Sequence, residues 1–289
     1  MFQSIPCHRE QPMRITILGA TGLLGKALMG EWKEDEVTGF GSADGDIRDE
    51  TRVLNLVQST RPDWIVLAAA YTDVDGCETN RDLAFDVNCR GAVNVARAAK
   101  QHGARLLFVS TDYVFDGTKT TPYAADDPRS PRTVYGQSKA EAELQLSEIL
   151  PECCIVRTSW LFGAGGKCFP DTILRLAASR PHLEVVGDQR GSPTYSQDLA
   201  RAIVQLCRQG ASGIVHATNR GECSWYEFAR EIIAGAGLAT VVHETTSDKF
   251  VRPAKRPHYS VLSPETLEKR GIAMPDWRNA LQRYLARTT

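Results

Sequence analysis

No apolar run in this 289-residue chain approaches the roughly 18 to 20 residues that a membrane-spanning helix requires, so no span is expected. The first dozen residues carry Pro6, His8, Arg9, Glu10 and Pro12 instead of the apolar core of a secretory leader. They are expected to form a disordered extension, residues 1–12. Excess charge of one sign is also missing, with 34 Lys and Arg against 35 Asp and Glu. Neither a nucleic acid nor an anionic membrane is therefore an expected partner, and a small molecule is. Eight cysteines are present, but no C-x-x-C pair and no Cys/His ligand spacing. That pattern excludes a disulfide framework and suggests reduced thiols in a cytoplasmic protein, with no metal site. Cys153 and Cys154 precede Ile155 and Val156, where strand alternation would turn them to opposite faces as buried small hydrophobes. Repeats and low-complexity tracts are absent.

What is present is an alternation of two periods. Short β-rich runs occur at 14–18, 37–40, 64–68, 106–110 and 154–157. Their nearly continuous apolar character is that of parallel strands covered on both faces. Between them, 22–32, 51–60, 83–101 and 140–150 show helical spacing and are long enough to cross back over a sheet. The expected class is α/β, a doubly wound parallel sheet over residues 13–160. After Trp160 the rhythm loosens, with helices expected at 169–179, 197–208 and 225–234 and a strand at 184–186. Residues 161–289 are expected to form a smaller α+β domain over the substrate, one or two elements returning to the sheet. The polar stretch Thr118 to Arg132, too long for a typical connection, is a candidate substrate-side loop.

The first strand enters Gly19-Ala20-Thr21-Gly22-Leu23-Leu24-Gly25 and then a helix. Glycines here permit a tight turn and a close backbone approach to a pyrophosphate, which the helix N-terminus attracts. Glycines also mark plain turns; the strand-to-helix placement favours a dinucleotide site. The second strand ends Gly39-Phe40-Gly41-Ser42, with neither a carboxylate to select the ribose hydroxyls of NADH nor an arginine to greet a 2'-phosphate. Use of both NADPH and NADH is expected, with a lean to NADPH. Asp46, in the loop beyond, is a candidate cap for the helix that follows.

Tyr135 and Lys139 stand four residues apart and share one face of a helix. A phenol with an ordinary pKa near 10 is a poor proton donor at neutral pH, and an ammonium within about 4 to 6 Å typically lowers such a group by about 1 to 3 pH units. Lys139 is expected to supply that charge. Y-x-x-x-K alone is common on solvated helices; its place after a strand ending Val109-Ser110-Thr111-Asp112-Tyr113 favours catalysis. Ligands bind beyond the carboxyl ends of such strands, so Thr111 is placed to bond a reacting carbonyl, unless Ser110, Thr111 and Asp112 merely form a turn.

The G-x-x-G-x-x-G spacing resembles the extended short-chain dehydrogenase/reductases. Ala68-Ala69-Ala70-Tyr71-Thr72-Asp73-Val74-Asp75, Ser110 to Gly117, Tyr135 to Lys139 and Arg157-Thr158-Ser159-Trp160 narrow the resemblance to the dTDP-4-dehydrorhamnose reductase family, over essentially all of the chain from Arg14. The resemblance implies a Rossmann fold and reduction of the C4 ketone of dTDP-4-dehydro-L-rhamnose by NADPH or NADH. It implies Tyr135 as proton donor, Lys139 as the group that holds the nicotinamide ribose, and Thr111 as their hydroxyl partner. Gly19, Thr21, Gly22, Leu23, Leu24, Gly25, Asp46, Ile47, Ala70, Tyr71, Thr72 and Val109 would line the cofactor; Asp112, Tyr113 and Trp160 would meet the sugar. Asn88 matches a supporting asparagine beside the site, and Gly187 to Thr194 a segment shaping the substrate domain. Some members pair through a divalent ion, Mg2+ being the candidate, but no ligand set for it is identifiable, and a homodimer stays open.

Lys249, Arg252, Lys255 and Arg256 cluster between prolines. They are either a solvated surface or, for Arg256, a bidentate partner of the substrate diphosphate. Two rival functions remain: reduction of a different nucleotide-linked ketosugar, and a regulatory subunit resembling the β subunit of methionine adenosyltransferase, which the intact Thr111, Tyr135 and Lys139 set disfavours.

Overall fold

The computed structural model describes residues 12–287; the expected N-terminal extension, but for Pro12, lies outside the described residues. The chain opens in strict alternation: β1 (Arg14–Leu18), α1 (Leu23–Glu31), β2 (Glu36–Phe40), α2 (Glu50–Thr60) and β3 (Trp64–Leu67). After α3 (Val74–Thr79), one helical run comprises α4 (Arg81–Phe85), a π turn (Asp86–Arg90) and α5 (Gly91–His102). It leads to β4 (Arg105–Thr111), α6 (Val134–Ile149) and β5 (Cys154–Thr158). The second half holds β6 (Leu161–Phe162), α7 (Phe169–Ala177), β7 (His182–Val186), β8 (Arg190–Gly191), β9 (Thr194–Tyr195), α8 (Ser196–Arg208) and β10 (Gly213–His216). It closes with β11 (Cys223–Ser224), α9 (Trp225–Gly235), β12 (Val241–Thr245), α10 (Glu265–Glu268) and α11 (Trp277–Leu285).

Six strands form one parallel sheet in the order β10-β5-β4-β3-β1-β2. From β1 the chain moves outward to β2, then returns past β1 to build β3, β4 and β5 on the other side. The strand order therefore reverses between β1 and β3, where open α/β sheets bind ligands beyond the carboxyl ends of their strands. Two apolar layers cover the sheet. Ile15, Ile17, Val66 and Leu107 pack toward α1 and α8 with Leu24, Leu28, Leu199 and Ile203. Leu18, Ile65, Leu67 and Phe108 pack toward α2, α5 and α6 with Val53, Val57, Val95 and Leu146. Cys154 belongs to the first layer and Cys153 to the second, the opposite-face placement that strand alternation predicts.

The C-terminal half has its own aromatic core of Phe162, Tyr195, Phe228, Trp277 and Tyr284. Two of its elements serve the main sheet: β10 as the edge strand beside β5, and α8 packed on α1. The expected strand at 184–186 is β7, which pairs in parallel with β12. The sequence hid β12 because its burial runs exposed, intermediate, exposed, exposed, buried, without alternation.

Two helices depart from their expected bounds. The run expected at 83–101 contains a π turn, and the Asn88 side chain within it holds the backbone of Tyr71 from both sides, accepting from its N–H at 2.8 Å and donating to its C=O at 3.1 Å. Helix α6 begins at Val134, ahead of the apolar spacing at 140–150 and early enough to carry Tyr135 and Lys139, because the Thr133 hydroxyl caps it by accepting from Gly136 N–H at 3.0 Å. Its first turns are buried nearly all round, so they carry little amphipathic signal.

Candidate active site

The loop after β1 is shaped by backbone contact. Gly19 takes a φ of 94° and a side chain on Gly25 would put its Cβ 2.1 Å from the Gly19 carbonyl oxygen, so no other residue fits the turn of chain against α1. Gly22 is the N-cap of α1 and gives it no side-chain hydrogen bond, and no acidic residue occupies the first turn. Nothing but the Gly19 carbonyl, at 3.4 Å, stands near the position of a Gly22 Cβ. An uncapped helix N-terminus beside open space is a cradle for a diphosphate, and a dinucleotide fits these residues.

At the end of β2, Phe40 C=O accepts from the N–H groups of Gly19 and Ala20, at 2.9 and 3.0 Å, joining the two strand ends. Asp46 does not cap α2; Asp49 does, accepting from Arg52 N–H at 3.0 Å. Asp46 instead forms an ion pair with Arg48, whose guanidinium, at 2.6 Å, holds its carboxyl below the usual range. Ile47 is buried against Gly91. One residue that inspection of the strand end missed is Arg52, whose guanidinium returns from α2 to the Ala43 carbonyl at 3.0 Å. Its signal was available: a basic residue three positions after an N-cap aspartate lies in the first turn, facing the preceding loop.

At the end of β4, Thr111 caps the short turn Asp112–Val114 and its hydroxyl donates to Asp112 Oδ1 at 3.0 Å. Gly136 lets α6 approach closely, since a Cβ there would stand 2.1 Å from Tyr113 C=O. That approach brings the Tyr135 hydroxyl beside Thr111 and its ring to 5.7 Å from the ring of Tyr113, edge to face. Thr111, Asp112, Tyr113 and Tyr135 thus form one cluster.

Lys139 is on the same helix face but its ammonium donates to Val109 C=O at 2.6 Å and lies 3.9 Å from the Phe108 ring centroid. Burial lowers its pKa to about 7, against the opposing charge of Glu143. The expected acidification of Tyr135 by Lys139 is not what this arrangement displays. Burial pushes the Tyr135 phenol up, the nearby Thr111 hydroxyl opposing and the Asp112 and Cys77 charges adding to the rise. The Lys139 ammonium is engaged by the Val109 carbonyl rather than by the phenol.

Glu143, one helical step further, is fully buried and was not anticipated. It accepts from Ser110 Oγ at 2.6 Å and, bidentately, from the buried Arg157 at 2.9 and 2.6 Å. Arg129 reaches it at 3.1 Å from the polar stretch 118–132, and Arg157 also bonds Ala125 C=O at 3.1 Å. The i, i+4, i+8 series of Tyr135, Lys139 and Glu143 was the available signal.

Trp160 holds a left-handed φ of 46°, uncommon for a bulky residue. Its ring stacks on Trp225 with centroids 3.5 Å apart, and Gly191 leaves room for its other edge. Trp225 in turn lines a cleft of about 1170 Å³ in the C-terminal half, together with Phe169, Gln189, Phe250, Lys255 and Arg256. Tyr135 and Thr111 do not line this cleft, so it is not where the cluster's chemistry occurs; Arg256, which also faces Tyr113, connects the two. Asp75 on α3 holds the Arg256 guanidinium at 2.9 and 3.0 Å, pairs with Arg252 at 3.3 Å and accepts from Ala254 N–H at 3.2 Å. The cluster at 249–256 is therefore only partly a solvated surface.

Among the described residues no three His, Cys, Asp or Glu side chains converge to hold a metal ion, so nothing supports the Mg2+ ion that the resemblance suggested. No helix of these residues is long and apolar enough to cross a membrane.

Residues 13–289 match the family described as the RmlD substrate binding domain. A dTDP-4-dehydrorhamnose reductase of Aggregatibacter actinomycetemcomitans is 39% identical over 289 residues, which cover 94% of this chain and 98% of the relative. The chain belongs to the dTDP-4-dehydrorhamnose reductase family. A solved member, the reductase of Bacillus anthracis str. Ames in complex with NADP, is 39% identical with a TM-score of 0.94, covering 96% of this chain and 100% of that one. A relative of Streptomyces antibioticus, named a probable dTDP-4,6-dihydroxy-2-methyloxan-3-one 4-ketoreductase, is 39% identical over 93% of this chain and 94% of its own length. The stretches 68–75, 110–117, 135–139 and 157–160 quoted from the sequence each lie at a strand end or a helix start.

Proposed function

We propose that this protein reduces the C4 ketone of dTDP-4-dehydro-L-rhamnose to give dTDP-L-rhamnose, with a reduced nicotinamide dinucleotide as co-substrate. The observation that carries this reading is the hydroxyl cluster of Thr111 and Tyr135 at the end of β4, in a chain of this family with an open diphosphate cradle at the end of β1. When bound, the dinucleotide supplies the hydride. Tyr135 gives its proton to the carbonyl oxygen and Thr111 Oγ1 donates a second hydrogen bond there, contributions each on the order of 100-fold. Lys139, held at Val109 beside the site, orients the ribose and adds positive charge near the phenol.

Residues 161–289 serve as the substrate-binding half in this reading. The C-terminal cleft takes the nucleotide, and Arg256, already aligned by Asp75, engages the diphosphate. Trp160, stacked on Trp225, contacts the sugar, as do Asp112 and Tyr113. Arg52 and the absence of a carboxylate at Gly39 to Ser42 support the lean to NADPH, because a 2'-phosphate beside Ala43 would meet a cation.

Turnover of dTDP-4-dehydro-L-rhamnose with NADPH and with NADH, with the product identified by NMR, tests the proposal. The expected result is dTDP-L-rhamnose with the lower KM for NADPH. A preparation that binds NADPH yet leaves this ketosugar unreduced, while reducing the oxanone-type sugar named for the Streptomyces relative, would replace the substrate and keep the chemistry.

A further inference from the structure

Behind the cluster at the end of β4 lies a buried ionic group that the proposed reduction does not use. Glu143 on α6 and Arg157 on β5 are 0% and 1% exposed. The guanidinium is held from three sides, by both Glu143 oxygens, by Ala125 C=O at 3.1 Å and by His216 Nε2 of β10 at 3.3 Å. Burial and the Arg157 charge push His216 down to about 3, so the imidazole is neutral and adds no charge. Burial would raise the Glu143 carboxyl, but Arg157, Ser110 and Arg129 hold it below its ordinary value, an anion at neutral pH. Taking two charges out of water is costly, and an apolar pair of similar volume commonly serves a core as well. The place of the carboxylate is what gives it a task. It stands one helical step beyond Lys139 and accepts from Ser110 Oγ at 2.6 Å. Ser110 shares a peptide group with Val109, whose C=O receives the Lys139 ammonium at 2.6 Å. The β3–β4 pairing ends one residue earlier, at Leu67 and Phe108, so side chains rather than β3 steady this peptide.

We propose that Glu143, aligned by Arg157, is a positioning residue of the reduction: it steadies Ser110 and, through the shared peptide, the Val109 carbonyl on which the Lys139 ammonium is set. The inference rests on the ketoreductase reading above for what Lys139 does, and on the contacts alone for where it lies. With no exposed surface, Glu143 acts on the reaction only through Lys139. The same carboxylate has a second effect. Burial brings the Lys139 amine down to about 7, and the negative charge of Glu143, with a smaller part from Cys89, opposes that fall. The groups facing the amine are Glu143 on its own helix, Cys89 from the π turn, and the Phe108 ring and Val109 carbonyl of β4. Facing Glu143 in turn are Ser110, Arg157, Arg129, His216 of β10 and Cys153 just before β5. Arg129, partly exposed and 3.1 Å away, offsets some of the carboxylate charge from the side of the polar stretch. Glu143 therefore strengthens the hold of Lys139 on its proton, and Arg129 weakens it.

The test follows the Lys139 side chain in the full-length protein by carbon NMR of labelled lysine, the signal assigned with Lys139→Met. Its titration midpoint should fall by about one pH unit in Glu143→Gln, which keeps the shape and loses the charge. In Arg129→Ala the midpoint should rise instead, by a smaller amount, because the carboxylate loses a neighbouring cation. Wild-type kcat with NADPH should fall as pH climbs through the lysine midpoint, and that limb should move in the same two directions in the two variants. Ser110→Ala leaves the ion pair intact and removes only the 2.6 Å contact. It should lower kcat about 10-fold with the ketosugar KM within about twofold, and Ser110→Thr, which keeps the hydroxyl, should recover most of the loss. Arg129→Ala and Ser110→Ala retain the buried pair, so they decide the matter even where Glu143→Gln does not fold. A pair that serves stability alone would lower urea midpoints and leave the lysine midpoint, the pH limb and kcat in place, which would overturn the proposal. Lysine midpoints that shift as stated in a protein that reduces no ketosugar would fault the reading of function and leave the placement of Lys139 standing.

Discussion

The loop at the end of β1 and the cluster at the end of β4 occupy corresponding places in one sheet but are made of different material. At β1 the working parts are main chain: Gly19 and Gly25 fit against each other because neither has a side chain, and the bare N-terminus of α1 faces open space. At β4 the working parts are side chains from three separate segments, Thr111 and Asp112 from the strand end, Tyr135 from α6 and Ser260 from the C-terminal half, with Gly136 serving only to let them meet. The backbone site has few ways to be tuned and many ways to be broken. A side-chain cluster can be retuned one group at a time, which suits the half that must discriminate among ketosugars.

Substitutions on the two sides should therefore separate binding from chemistry. Tyr135→Phe should lower kcat on the order of 1,000-fold while leaving the dissociation constant of NADPH within about twofold, read by fluorescence titration beside steady-state rates. A matching loss of NADPH affinity would mean that the two sides are not independent. Asp112→Asn should act on stability with a definite sign. Because burial raises this carboxyl to about 6, the folded protein binds the proton more tightly than the unfolded chain, and stability falls as pH climbs from about 4 to about 6. The variant cannot ionise, so it should gain about 3 kcal/mol above pH 6 and nothing below pH 4. Urea midpoints at both pH values check this, and an equal difference at each would refute it.

On the backbone side, Gly25→Ala should weaken NADPH binding about 100-fold and cost about 1–3 kcal/mol of stability, since the new methyl must displace the Gly19 carbonyl. At saturating cofactor its kcat should stay close to wild type; a kcat as poor as that of Tyr135→Phe would erase the contrast. The smallest effect is expected at Arg52→Ala, about fivefold in the NADPH-to-NADH ratio of kcat/KM, with the NADH value unchanged. A ratio that does not move would release Arg52 from any part in cofactor choice.

The contrast also explains what could be inferred from the sequence. Strands β1 to β5, the glycine loop and the Tyr135–Lys139 pair were legible because each is local: an apolar run, a fixed spacing, a face of one helix. The joint motifs went further and pointed to the family, since they sample several strand ends at once. Less legible were contacts that bring distant segments together. Asp75 meets Arg256 across 181 positions, and the Glu143–Arg157 pair draws in Arg129 from the polar stretch, none of which a periodicity encodes. Apolar spacing alone starts α6 late, because its first turns are buried on most sides and show no stripe; only the four-residue spacing of Tyr135 and Lys139 points to a helix there. The acidification of Tyr135 was expected from the four-residue spacing to Lys139, but spacing fixes a face and not the carbonyl that the ammonium finds there.

The edge strand β10 adds a consequence for synthesis of the chain. Until residue 216 has left the ribosome, β5 presents an open row of hydrogen-bonding groups, and the α1 face of the sheet lacks the cover of α8. Residues 13–160 should therefore aggregate when expressed alone, and a soluble, cooperatively unfolding protein should need the chain through α11, since Leu267, Ile272 and Met274 cover the α8 face and Phe162 and Tyr195 pack on Phe228, Trp277 and Tyr284. The dinucleotide half would then be a unit of binding but not of folding, its completion waiting on a segment that lies beyond the first elements of its partner.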